Sequence, residues 1–255
     1  MPKKSIAYVW AAVIALTACR PHYSLTAIEH SRILVDKSFD GRTDERTTAM
    51  MEPYRQQVDS IMAPVIGTVA GYLWPERPES NLSNLLADIL VWSGPLFGEH
   101  PDFSVYNIGA IRAALAQGPV TIGNVLEVSP FDNKVCFLTL TGEQVVRLFG
   151  QIAGNGGEGV SRGVELVITP AGRLLRARLD GQPLLPTAHY RIATTDYVAQ
   201  GNDKMEAFKQ KKLMTIPQEA DADMRHLIMR YFREQTAQGK TIEAQVEGRI
   251  TIQEE

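Results

Sequence analysis

Strand signals and helix signals interleave along this chain, and their order limits the available folds more than any other feature. The run Val135-Cys136-Phe137-Leu138-Thr139-Leu140 alternates and reads as a strand. It passes without a spacer into Thr141-Gly142-Glu143-Gln144, a capping box in which Thr141 caps and Gln144 reaches back. A helix is therefore predicted to start there and run to about Ile152. Upstream, Met50, Met51, Tyr54, Val58, Ile61 and Met62 recur at helical spacing, so a helix is predicted over residues 48–62, closed by Pro64 and followed by a strand over 65–73. Leu82, Leu85, Leu86, Ile89 and Leu90 line one face of a second helix over 80–92, which Gly94-Pro95 stops. Residues 103–106 form a short strand, and Thr121 is placed to cap a short helix ending at Glu127. Three strands follow over 164–169, 174–179 and 190–194, with turns at Pro170-Ala171-Gly172 and Asp180-Gly181. A long helix over 223–238 and a closing strand over 249–252 complete the pattern. Several strand pairs look like hairpins, so the expected fold class is α+β, with a mixed α/β sheet.

The chain has 255 residues, of which 44% are hydrophobic and 22% charged, enough to bury a core of moderate size. A net charge of -3 argues against a general nucleic-acid binder. Lys209-Gln210-Lys211-Lys212 is the one basic run that stands out, and it reads as a solvated face.

The first residues read as a processing signal. Pro2-Lys3-Lys4 is a short basic region, and residues 6–16 are an apolar run too short for a comfortable membrane span. Leu16-Thr17-Ala18-Cys19 resembles a bacterial lipobox, with Cys19 as the lipidated residue. Export to the bacterial cell envelope and attachment to a membrane through lipid are the expectation. The expected organisation is a lipoprotein signal over 1–19, a linker over 20–46 and one domain over 47–255. Within the linker, Ile33-Leu34-Val35 is expected to form a short strand. Cys136 is the other cysteine, and its place in a strand makes it a buried structural thiol.

Three clusters carry the chemistry. They are Asn107-Ile108-Gly109-Ala110-Ile111-Arg112, Pro130-Phe131-Asp132-Asn133 and Asp196-Tyr197-Val198-Ala199-Gln200-Gly201-Asn202-Asp203. Together they offer a fixed cation, two aromatic faces, amides and an acid. Arg112 presents a planar fork of donors that stays charged and suits phosphate. Phe131 and Tyr197 are flanked by loop residues, where core packing is less demanding.

In order and spacing these clusters resemble the C-terminal, substrate-binding domain of the 5'-nucleotidase/UDP-sugar hydrolase family. The resemblance begins at Glu79-Ser80-Asn81-Leu82-Ser83-Asn84-Leu85-Leu86-Ala87-Asp88, close to the family's E-x-N-x-x-N-L-x-x-D helix. Packing and capping are the expected work of Asn81 and Asn84. Residues 107–112 are similar to the family's N-G-G-G-I-R loop, with Ile108 and Ala110 where the family has glycine. The added Cβ atoms are expected to narrow the approach to a ligand. Pro130-Phe131-Asp132-Asn133 resembles P-F-G-N, and Gly201-Asn202-Asp203-Lys204 stands where the family has G-G-D-G. The resemblance implies that Phe131 and Tyr197 stack on a base. It implies that Arg112 meets phosphate or neighbouring oxygens, that Asn107 contacts base or ribose, that Asn133 belongs to the substrate-binding set, and that Asp203 accepts from the ribose hydroxyls. Arg77 is a further substrate-binding candidate, and residues 160–164 are expected in the pocket wall.

Enzymes of this family place two metal ions in an N-terminal domain with motifs such as D-x-H, G-N-H-E and G-H-x-H. None of the five histidines, His22, His30, His100, His189 and His226, sits in such a motif. No metal site, catalytic residue or cofactor is expected in this sequence; the divalent metals are expected on a partner metallophosphatase chain. Two functional readings are what the resemblance implies. One is the substrate-binding half of a split 5'-nucleotidase, taking a nucleotide or related phosphate ester. The other is a non-catalytic envelope lipoprotein that binds nucleotides or sugar phosphates.

Overall fold

The computed structural model describes residues 25–34, 36–39, 41 and 44–254. The signal segment, with Cys19, lies outside the described residues, as does Val35. Ile33 and Leu34 belong to no strand, contrary to expectation. The chain divides into a unit ending at Met51 and a domain from Glu52 onward. In the first, Asp44 Oδ1 accepts from Arg46 N at 3.0 Å, where the helix Glu45–Met62 (α1) begins. The helix was expected from its periodicity, but none of its residues is buried: Tyr54, Val58 and Ile61 are all exposed. No helix among the described residues is long and apolar enough to cross a membrane.

The domain is organised by a five-stranded mixed sheet. In spatial order its strands are Lys212–Thr215, Val135–Thr141, His189–Thr195, Phe103–Tyr106 and Gly159–Val160. Val135–Thr141 is antiparallel to His189–Thr195, and Phe103–Tyr106 runs parallel to His189–Thr195. The alternation along Val135–Thr141 separates two apolar faces: Val135 and Phe137 join one buried cluster, while Cys136, Leu138 and Leu140 join another. Both faces are covered by helices, so this interior strand is buried on both sides and mostly apolar, with Thr139 as a buried polar exception. The helices Asn81–Ser93 (α2) and Met224–Ala237 supply the first cluster, and Gly142–Gly154 the second. Burial pushes the Cys136 thiol up to about 12, as suits an inert packing residue.

The caps explain why the helices begin where they do. Thr141 accepts from Gln144 N while Gln144 Oε1 accepts from Thr141 N at 2.8 Å, the expected box. Thr121 caps Ile122–Val128 in the same way with Asn124. At α2 the cap is Ser80, paired with Ser83. Asn81 instead receives Trp74 N and donates to Tyr72 O, both at 2.9 Å. Asn84 donates to Glu79 Oε1 at 2.6 Å and to Gln245 O at 3.0 Å. The motif helix is thus a structural tie to the C-terminal strand, and Asp88 adds to it by gripping buried Arg249 with both oxygens at 2.8 Å. That strand, Ile250–Ile252, pairs in parallel with Val164–Ile168 in a second, four-stranded sheet with Leu174–Leu179 and Gln182–Pro183.

Core and helix α1 differ sharply in what a truncation removes. Leu138→Ala, at a fully buried side chain, is expected to cost about 2–5 kcal/mol in urea unfolding. Val58→Ala, on the exposed face of α1, is expected to stay within about 0.5 kcal/mol. Equal losses for the two would contradict this division of the domain.

Candidate functional site

Three loops leave the central sheet at one edge because of how its strands pair. Ser104 lies beside Ala193 in a parallel pair, so both strands end on the same side, at Asn107 and at Asp196. Val135 lies opposite Thr195 in an antiparallel pair, so the segment preceding Val135, which carries Phe131 and Asn133, arrives at that side too. Tyr106 faces Gly159, which brings Glu158 to the same edge. Side chains as far apart in sequence as Asn107 and Asp203 thereby meet at one place, outside the ends of the strands, where sheets of this kind commonly bind ligands.

Two of the loops are stitched directly. Asp196 Oδ1 accepts from Tyr197 N at 2.8 Å and from Lys134 N at 3.2 Å, so the Phe131 and Tyr197 segments share one carboxylate. Asp132 is turned away and ion-paired to Arg225, anchoring the Phe131 loop to the helix Met224–Ala237. Neither aromatic ring is spent on the core: Phe131 is 43% exposed and Tyr197 40%. Single aromatics are usually buried to a greater degree than this, so exposure of both on one cleft is the informative observation.

The cleft has a volume of about 270 Å³. Asn107, Arg112, Phe131, Asn133, Tyr197 and Asp203 all line it, together with Gly109 and Ala110. Six of the seven binding residues expected from the sequence therefore share one cavity. Arg77 lies in an adjoining cavity, which shares only Gly109 and Asp203 with the cleft. Residues 160–164 do not form the expected wall: Ser161 and Arg162 line a different cavity, beside Asn84, Asp88 and Arg249. Ile108 is buried and does not line the cleft, so its Cβ does not narrow the approach, whereas Ala110 does face it. The left-handed backbone in this loop falls on Gly201, Asp203 and Lys204.

Charge in the cleft is unevenly committed. Arg112 is exposed and forms no ion pair among the described residues; its protein contact is a long one, from Nη1 to Gly109 O at 3.4 Å. Asp203 is held instead. Its Oδ2 accepts from Asn107 Nδ2 at 2.6 Å, and its Oδ1 faces the Tyr197 hydroxyl at 3.3 Å. The Asp203 charge pushes the Tyr197 phenol above its ordinary range, so the hydroxyl stays a donor. Asn107 Oδ1 is buried without a partner among the described residues.

Sequence reasoning missed the residue beneath the cleft. Glu158 is 1% exposed and joins three segments. Its Oε2 accepts from Ile108 N at 2.7 Å, and its Oε1 accepts from Arg77 Nη2 at 2.6 Å and from Asn155 Nδ2 at 3.3 Å. Asn155 also donates to Asp203 O at 2.7 Å. Gly157 makes this possible: its φ is +110°, and a Cβ there would lie 2.2 Å from Pro78 O. The only sequence signal for this node is a lone acid in a run of glycines, Gly154-Asn155-Gly156-Gly157-Glu158-Gly159.

Burial pushes the Glu158 carboxyl above its ordinary range, against the opposing pull of the Ile108 amide and Arg77. A carboxyl raised on folding contributes stability that is full below the ordinary carboxylate range and is lost as pH rises through the raised value. Wild type is therefore expected to gain stability relative to Glu158→Gln as pH is lowered through that range, measured by urea unfolding at a series of pH values. A gap that moves the other way would contradict the assignment.

No three His, Cys, Asp or Glu side chains among the described residues converge so as to hold a metal ion. Comparison with known proteins places this architecture. The chain is 26% identical over 164 residues to Protein UshA of Yersinia enterocolitica, covering 63% of this chain and 30% of that protein. It is 29% identical over 227 residues to Cell wall protein Lmo0130 of Listeria monocytogenes, covering 79% and 28%. The crystal structure of a 5'-nucleotidase precursor from Thermus thermophilus superposes with a TM-score of 0.70 at 28% identity, over 82% of this chain and 43% of that one. The chain thus spans less than a third of the length of these two curated relatives. The family profile described as "5'-nucleotidase, C-terminal domain" matches residues 65–210, more than half of the sequence, and the chain belongs to that family.

Proposed function

We propose that this domain is the substrate-binding half of a 5'-nucleotidase-type hydrolase whose two-metal catalytic domain is carried on a separate chain. The observation that carries the reading is the cleft itself: two exposed rings, an uncommitted guanidinium and a fixed carboxylate on one wall system. Phe131 and Tyr197 take a flat base between them, and each stacked face contributes about 1–3 kcal/mol. Asp203 accepts from ribose hydroxyls, and Asn107 and Asn133 supply amide groups at the cleft wall. Arg112 meets a phosphoryl oxygen with its planar fork. These residues bind and orient; they supply no nucleophile and no metal. The family's metal motifs do not occur in these 255 residues, which motivates placing the chemistry on a partner.

The lipobox-like Leu16-Thr17-Ala18-Cys19 supports an exported lipoprotein of the bacterial envelope, and a Listeria relative named as a cell wall protein is consistent with an extracytoplasmic setting. A second reading is a nucleotide-binding lipoprotein without a catalytic partner. It is favoured by Lys204 and Ala110, which depart from the glycines of the family pattern.

Calorimetric titration with a small nucleotide panel tests the assignment. Wild type is expected to bind, Phe131→Ala and Tyr197→Ala each to weaken binding by about 1–3 kcal/mol, and Arg112→Ala to weaken phosphorylated ligands more than the nucleoside. Unaltered affinity in all three variants would refute the pocket. The protein alone is expected to show no metal-dependent hydrolysis, and addition of a metallophosphatase partner separates the two readings: turnover with it supports the first, continued silence the second. Robust turnover by the single chain would contradict both.

A further inference from the structure

The cleft does not end at Asp203. A second cavity of about 340 Å³ opens on its far side, lined by Arg77, Asn155, Glu158 and Lys204 as well as the shared Gly109 and Asp203. Its two cations differ in their commitments. Arg77 donates through Nε to Gly157 O at 2.9 Å and through Nη2 to Glu158 Oε1 at 2.6 Å, so its charge is balanced by a buried carboxylate. Lys204 is exposed and makes no hydrogen bond or ion pair among the described residues.

Lys204 also occupies a backbone position that glycine adopts more readily. Its φ is +59°, directly after Asp203 at +52°. Aspartate tolerates the left-handed region, but lysine adopts it at a cost, and such conformations persist where the surroundings over-determine them. The surroundings here do so: Asn155 Nδ2 holds Asp203 O at 2.7 Å, and Asn107 Nδ2 holds its carboxylate at 2.6 Å. Backbone preference therefore does not explain a lysine at this site, and neither does an ion pair. What remains is a free ammonium at the wall of a cavity that continues from the ribose end of the cleft.

We propose that Lys204 makes this second cavity a phosphoryl subsite, so that the preferred ligand carries an additional anionic phosphoryl group that passes Asp203 on the side away from the base. The inference rests on the nucleotide reading of the cleft and adds the charge of the ligand to it. The group comes either from a second phosphate on the 5' chain or from a phosphate on a ribose hydroxyl. In both cases the chemistry is the same, a compact ammonium facing phosphoryl oxygens while Arg77 stays fixed by Glu158.

Calorimetric titration of the full chain with adenosine 5'-monophosphate, adenosine 5'-diphosphate and adenosine 3',5'-bisphosphate tests it. One of the two doubly phosphorylated ligands is expected to bind about ten-fold tighter than the monophosphate. The ligand that gains identifies the source of the group. Lys204→Gly is expected to bring that ratio to about one and Lys204→Arg to retain most of it. Glycine suits the left-handed backbone, so Lys204→Gly is expected to melt no lower than wild type, and loss of fold does not mimic the effect. If the monophosphate binds but neither doubly phosphorylated ligand gains, or if Lys204→Gly keeps the gain, the subsite is refuted while the base-and-ribose reading stands. If wild type binds none of the three, both are refuted.

Discussion

The candidate site depends on one buried carboxylate. Glu158 sits beneath the cleft and receives hydrogen bonds from the Ile108 amide, Arg77 and Asn155, three segments that share no secondary-structure element. A buried carboxylate left without partners would be strongly disfavoured, so the chain must bring those donors to it or leave it neutral. Meeting that demand sets the 107–110 turn in place, fixes Arg77 against Gly157, and leaves Asn155 to hold the main chain at Asp203. The groups lining the cleft between the two rings are consequently positioned by a polar network that does not itself line that cleft. Such an arrangement suits a binding site, whose contacts must be held before the ligand arrives.

Above that node, strand pairing does the gathering. Parallel and antiparallel neighbours of His189–Thr195 deliver the 107, 131 and 197 loops to one edge, and Asp196 then ties two of them to each other. The aromatic rings stay outside the core because the core is already filled by the inward residues of Val135–Thr141 and its neighbours. Exposed rings and a cation without a counter-charge among the described residues occur within one cavity. A base and a phosphate address both together.

Much of this was legible from residue order alone. The cap at Thr121 and the capping box at Thr141 marked helix starts correctly because caps are local devices whose geometry needs no tertiary context. The gathering of Asn107, Arg112, Phe131, Asn133, Tyr197 and Asp203 was also legible, through motif order. What the sequence hid was long-range. Glu158 looks like one acid in a glycine-rich loop until its partners, as many as eighty-one residues away, are known. Asn81 looked like a cap because it opens the helix, yet Ser80 has the extended backbone that a cap requires. The segment at Ser161 matched a family motif, but Asp88 and Arg249 claim that region for a structural ion network. Helical spacing in α1 signalled the helix but carried no information on its burial, since periodicity reports an apolar stripe and not what covers it.

The most direct test is a crystal structure of the protein soaked with adenosine 5'-monophosphate. The account predicts the adenine ring between Phe131 and Tyr197, with a ribose hydroxyl on the Asp203 carboxylate. Nucleotide density at another surface, with the space between those two rings left vacant, would contradict it.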